Sequence, residues 1–110
     1  MDWRKEVIEF ALGEDTEARA AEQKAWIAAE PGNPRPYFHL AALFRMQGKR
    51  DHALGLLLEA VRLEPAFAPA HVALAEIYAV TGDMAAARRH AMLAAGAGDP
   101  SAAQMLARYP

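Results

Sequence analysis

The sequence predicts an all-α protein of about seven helices, arranged as antiparallel helix-turn-helix pairs stacked on one another. The first observation is a recurrence with a period of about 34 residues, a length that marks a stacked helical repeat. Tyr37, Leu40, Ala41, Phe44, Gly48, Ala53, Leu57, Ala60 and Pro65 return one period later as His71, Leu74, Ala75, Tyr78, Gly82, Ala87, Ala91 and Ala94, with Pro100 one position late. Second, proline and glycine punctuate the chain regularly, and the segments of about 11–15 residues between them carry apolar residues at spacings of three and four. Third, 27 of the 110 residues are alanine, which has no side-chain entropy to lose in a helix and permits close helix approach. No segment shows period-two alternation bounded by hairpin turns, so no strand is expected.

The elements follow in order. A helix over 2–12 places Trp3, Val7 and Phe10 on one face and ends near Gly13-Glu14-Asp15. The next, over 15–29, offers Ala18, Ala21, Ala25, Trp26 and Ile27 before the breaker Pro31-Gly32-Asn33-Pro34. Helices over 36–47 and 69–81 open on Pro36 and Pro69, where the missing N–H costs nothing. Gly48 and Gly82 follow those helices and supply the left-handed residue that ends them. The short turns send the chain back antiparallel, as helices over 50–63 and 84–95. Asp83 caps the second of these. A last helix over 100–108 starts at Pro100, with Asp99 as its cap and Ser101 with Gln104 as an alternative capping box.

Residues 34–67 are specific enough to resemble a known family. Tyr37-x2-Leu40-Ala41-x2-Phe44, then Gly48, Ala53-x3-Leu57-x2-Ala60 and Pro65, resemble a tetratricopeptide repeat (TPR). Ala41 stands for the usual glycine and Tyr37 for the usual tryptophan. Residues 68–101 resemble a second copy, with His71 in the first aromatic place and Ala91 in the later large one. The two copies cover about 68 of the 110 residues. The resemblance implies one domain over 1–110, a short right-handed TPR-like solenoid. It divides into a degenerate N-terminal hairpin (1–33), repeats at 34–67 and 68–99, and a capping helix within 100–110. Pro31 falls one period before Pro65, so the spacing reaches the first hairpin although its side chains fit no single register. Terminal units of repeat arrays need such departures, because each repeat leaves an apolar face uncovered.

The expected packing assigns Ala41 and Ala53 to the crossing within one hairpin, and Ala60 and Ala75 to the contact between neighbouring hairpins. Trp3 and Trp26 read as packing of the irregular first hairpin, and Met46, Met84, Met92 and Met105 as core or cap packing.

The family resemblance also implies that the first helices of successive hairpins line a groove that binds a protein or peptide. One helix would present Phe38, His39, Ala42, Arg45 and Met46, with Arg35 just before it; the other would present Val72, Ala73, Glu76, Ala79 and Val80. An apolar strip with charges at its margins suits a short apolar segment or an amphipathic helix. One TPR mode grips a C-terminal carboxylate through polar side chains, and Phe38, Ala42 and Ala73 stand where that mode needs them, so it is rejected. The expected role is therefore an adaptor. A self-associating scaffold, as a homo-oligomer, and a dedicated chaperone for one partner are the alternatives.

Other chemistries find little support. With no cysteine, thiolate metal sites, disulfides and cysteine nucleophiles are excluded. The histidines (His39, His52, His71, His90) include no i,i+4 pair for a metal; His71 reads as a core aromatic replacement and the other three as surface residues. The single serine, Ser101, suits a cap, and Gly96-Ala97-Gly98 follows a helix instead of joining a strand to one, so neither catalysis nor a phosphate loop is expected. No cofactor is expected. A net charge of −2 and the short Arg88-Arg89 cluster argue against nucleic acid. Charge is nevertheless uneven: residues 1–33 carry 4 basic and 8 acidic groups, and residues 84–110 carry 3 and 1. The start of the chain has no secretory apolar core and no run approaches a membrane span, so a soluble cytoplasmic protein is expected.

Overall fold

The computed structural model describes residues 16–108. These form six helices: α1 (Thr16–Ala29), α2 (Pro34–Met46), α3 (Arg50–Leu63), α4 (Ala68–Thr81), α5 (Met84–Gly96) and α6 (Ser101–Leu106). There is no strand among the described residues. Each helix packs on its successor, with α2–α3 and α4–α5 as the two closest pairs, and α6 also reaches α4. The helix expected over 2–12, with Trp3, lies outside the described residues. No helix among the described residues is long and apolar enough to cross a membrane.

The two hairpin turns are copies of each other. Gly48 and Gly82 hold φ of 76° and 90°, the left-handed region that a side chain disfavours. After each glycine the chain makes the same closing bonds. The Lys49 and Asp83 N–H groups donate to the Phe44 and Tyr78 carbonyls at 2.8 and 2.9 Å, and the glycine N–H groups donate to Arg45 and Ala79. This pair of bonds satisfies carbonyls that the helix end would otherwise leave open. The Asp83 side chain then accepts from the Ala86 N–H, so one short turn both ends α4 and caps α5.

Two helix starts differ from the sequence reading. The α2 helix begins at Pro34, ahead of Pro36, because the Asn33 side chain accepts the Arg35 N–H and caps the earlier position. At the other end Ser101 forms no capping box with Gln104. Asp99 accepts the Ser101 N–H, and a bond from the Ser101 side chain also holds the Asp99 carboxyl below its usual range, so Pro100 becomes the residue before the helix.

The core is built on alanine. Ala41, Ala53, Ala60, Ala75, Ala87 and Ala94 are all 0 % exposed. Ala41 and Ala53 share one cluster with Leu57, Ala60, Ala70 and Leu74, so Ala60 meets the next hairpin as expected. Ala75 does not. It joins Ala87 and Ala91 inside the second hairpin, together with Ala102 and Leu106 of α6. The period explains this, since Ala75 and Ala87 are Ala41 and Ala53 displaced by one repeat. Larger apolar side chains fill what the alanines leave: Leu57 and Leu74 are among the largest fully buried side chains, each contributing roughly 1.5–3 kcal/mol by burial. The α4 helix is buried on most sides because α3, α5 and α6 all touch it.

Several side chains depart from their expected environments. Met84 and Met105 pack against the second hairpin's core, but Met46 and Met92 are exposed, because they stand on outward-facing positions of their helices. His71 is buried as expected; His90, expected at the surface, is buried too. His90 follows Leu56 by one period and takes its inward position. Trp26 is half-buried, lies parallel to the His39 ring at 6.4 Å and donates to Glu30.

Two substitutions test this packing. Ala75→Phe overfills the second hairpin crossing and is expected to cost about 1–3 kcal/mol in urea unfolding. Gly82→Ala meets no atom within 4 Å of its new Cβ, so its expected loss of about 1–2 kcal/mol comes from the positive φ alone.

Candidate functional site

Along α2 and α4 the repeat sets up two matching stripes. Phe38, Ala42 and Met46 lie four apart on α2, and Val72, Glu76 and Val80 stand at the same places on α4. Residues at this spacing share a helix face, so each stripe runs the length of its helix. Proline at the start of both helices and the glycine turns at their ends hold the stripes in register. Met46 and Val80, 56 % and 70 % exposed, end the two stripes as a pair of bare apolar side chains.

One hollow lies between the stripes, and a second lies past the α4 stripe towards α5 and α6. The first, of about 140 Å³, is lined by Phe38, Ala42, Val72 and Ala73, with Leu57 of α3 and Pro69 completing it. The second, of about 350 Å³, is lined by Ala79 and Val80, with Met84 of α5 and Met105 of α6. Arg45 and Glu76 border both. Their side chains join at 3.2 Å, Arg45 Nη2 donating to Glu76 Oε2. The bridge therefore stands where the two hollows meet. It is a diagonal feature of this chain, because the repeat partner of Arg45 is Ala79 and that of Glu76 is Ala42.

The geometry sorts the residues named from sequence. Phe38, Ala42, Arg45, Val72 and Glu76 converge on the first hollow, and Val80 lines the second. Arg35, His39 and Met46 are exposed and line neither. His39 turns towards α1, where it stacks on Trp26, while its edge meets Phe38 at 5.5 Å. Phe38 is also held edge-on by Phe67 at 5.9 Å, from the loop before α4. Leu57, Pro69, Met84 and Met105 escape the sequence reading of the groove because they come from other helices or from a helix end. Met105 carries a signal, since a cap must cover the last hairpin's apolar side.

What this surface offers chemically is apolar contact area with one ion pair that can be re-partnered. Among the described residues, no three His, Asp or Glu side chains come together in a way that could hold a metal ion.

Compared with known proteins, the chain is 36% identical over 83 residues, 76% of its length, to the TPR repeat-containing thioredoxin TTL4 of Arabidopsis thaliana. The chain spans only 12% of the length of that relative. No protein-family model matches the chain. The similarity and the helical architecture together support a TPR-like relationship.

The exposure of Arg45 and Glu76, 36 % and 39 % of their side chains, limits what the bridge adds to stability. A double-mutant cycle with Arg45→Ala and Glu76→Ala is expected to give a coupling below about 1 kcal/mol in urea unfolding.

Proposed function

We propose that this chain is a protein-interaction module that takes an amphipathic helical segment of a partner protein into the trough between α2 and α4. The observation that carries the reading is the pair of hollows flanking the Arg45–Glu76 bridge, with Met46 and Val80 exposed beyond it. Apolar side chains left in water at equivalent places of successive repeats are a surface awaiting cover. The trough has the length of α2, roughly 20 Å at about 1.5 Å per residue, which matches three to four turns of a partner helix. Apolar anchors spaced three or four apart would enter the two hollows. A charged residue between them would exchange partners with Arg45 or Glu76 and so set direction.

The TPR repeat-containing relative supports interaction in general and names no partner for this chain. Its name also includes a thioredoxin, whose dithiol chemistry needs cysteines that these 110 residues lack. We read the chain as non-enzymatic and as an adaptor.

Self-association is the second reading, and one observation favours it. Between α5 and α6 lies a hollow of about 350 Å³ lined by Ala91, Met92, Ala103, Leu106 and Ala107, with Arg88 at its margin. Met92 and Leu93 are exposed on the same helix. Concentration-dependent sedimentation separates the readings, since the adaptor is expected to stay monomeric without its partner.

The adaptor reading is tested by placing Glu at both Phe38 and Arg45. The variant is expected to keep its circular dichroism spectrum and, in a pull-down, to retain at least about tenfold less of whatever protein the wild type retains. Unchanged retention would move the binding surface elsewhere.

A further inference from the structure

The second repeat replaces Tyr37 with His71 and Leu56 with His90, and the two replacements meet. Both imidazoles are buried, 3 % and 6 % exposed. In the first repeat the Tyr37 hydroxyl donates to the Pro31 carbonyl at 3.1 Å. In the second, His71 Nε2 lies 2.7 Å from the Pro65 carbonyl, the same acceptor one period on. A carbonyl only accepts, so Nε2 of His71 carries a proton, and Nδ1 of the neutral ring is then an acceptor. His90 Nδ1, 3.0 Å away, must donate to it. With both rings neutral the chain of bonds from His90 through His71 to Pro65 has one consistent arrangement, and a proton on each ring would set two donors face to face at the Nδ1 contact.

The surroundings do not welcome an added charge either. From α4, His71 and Tyr78 face His90, and the Tyr78 ring stacks on it at 5.6 Å. From α5, Arg89 contributes a like charge. The α6 helix has no ionisable side chain, and α3 turns Ala53, Leu57 and Ala60 inward while Glu59 pairs with Arg62. The carboxylates nearest in sequence are occupied or outside: Glu76 holds Arg45, Asp83 caps α5, and Glu64 is exposed.

We infer that the His71–His90 pair is an acid-sensitive clasp, which holds the second hairpin to the Pro65 loop while both rings are neutral and loosens it when the medium acidifies. Burial, followed by the charges of His71 and Arg89, holds the His90 imidazole below the ordinary histidine range, in the same direction as the geometry. An unfolded histidine titrates near about pH 6.5. Below that pH the unfolded chain therefore binds a proton that folded His90 refuses, and stability falls as pH falls towards about 5. The loop being released carries Phe67, which braces Phe38 beside the first hollow.

The test is urea unfolding of the whole chain at pH 7.5 and 5.0, beside a variant that restores the first repeat's residues, His71→Tyr with His90→Leu. The wild-type unfolding constant is expected to rise at least about tenfold on acidification, a change set by the unfolded histidine value. The double variant is expected to lose most of that rise, its new hydroxyl still reaching the Pro65 carbonyl. Wild-type stability that is flat over this range, or an equal rise in a folded double variant, would overturn the inference. A nitrogen-15 NMR titration of the wild-type imidazoles decides the matter even if the variant fails to fold. His90 is expected to titrate below the ordinary histidine value, with His71 protonated at Nε2 in the neutral state. His90 titrating at the ordinary histidine value would refute the clasp.

Discussion

The close crossing of helices at alanine is the constraint on which the rest of this structure depends. Two helices can approach closely only where neither carries a bulky side chain, and here buried alanines share a cluster at Ala41 with Ala53 and again at Ala75 with Ala87. A side chain of one carbon leaves little apolar area to bury, so leucines and half-buried aromatics must supply what the crossings cannot. The glycine turns serve the same geometry. They reverse the chain within a few residues, which brings the second helix of each pair back at the right height for its alanine to meet the first.

From that crossing follows the form of the exposed surface. Because the inner faces of α2 and α4 are fixed, their opposite faces are fixed as well, and the stripes from Phe38 to Met46 and from Val72 to Val80 lie alongside each other. The repeat alone would make these stripes alike. Their differences give the surface its individuality: glutamate replaces alanine at 76, arginine stands at 45 where the next repeat has alanine, and the two find each other across the repeats. In the proposed reading that pair sets the direction of a partner helix, and its exposure keeps it exchangeable.

Much of the architecture is legible in the sequence because its determinants are local. Gly48, Gly82 and Asp83 act on backbone groups within a few residues of themselves, and the small residues at 41, 53 and 60 repeat with a period that can be counted. Sequence reading fails where neighbouring residues compete for one cap and where the decision belongs to another element. Asp99 diverts Ser101 from capping, and Asn33 moves the start of α2 ahead of Pro36. His90 reads as a surface residue when polarity is weighed before register; carrying Leu56 forward by one period places it inside. For the candidate site, the stripes can be read from spacing, but the hollows cannot. They depend on Leu57, Pro69, Met84 and Met105 arriving from elsewhere, and the Arg45–Glu76 bridge joins side chains on separate helices.

The most direct measurement of the central claim is methyl–methyl nuclear Overhauser contact in protein labelled at its alanine methyls. Cross-peaks joining Ala41 to Ala53 and Ala75 to Ala87 are the expected result, with Ala60 connected to the start of α4. Their absence, or strong contacts between Ala75 and Ala60 in place of Ala87, would contradict the nested hairpins on which both the trough and the histidine clasp are built.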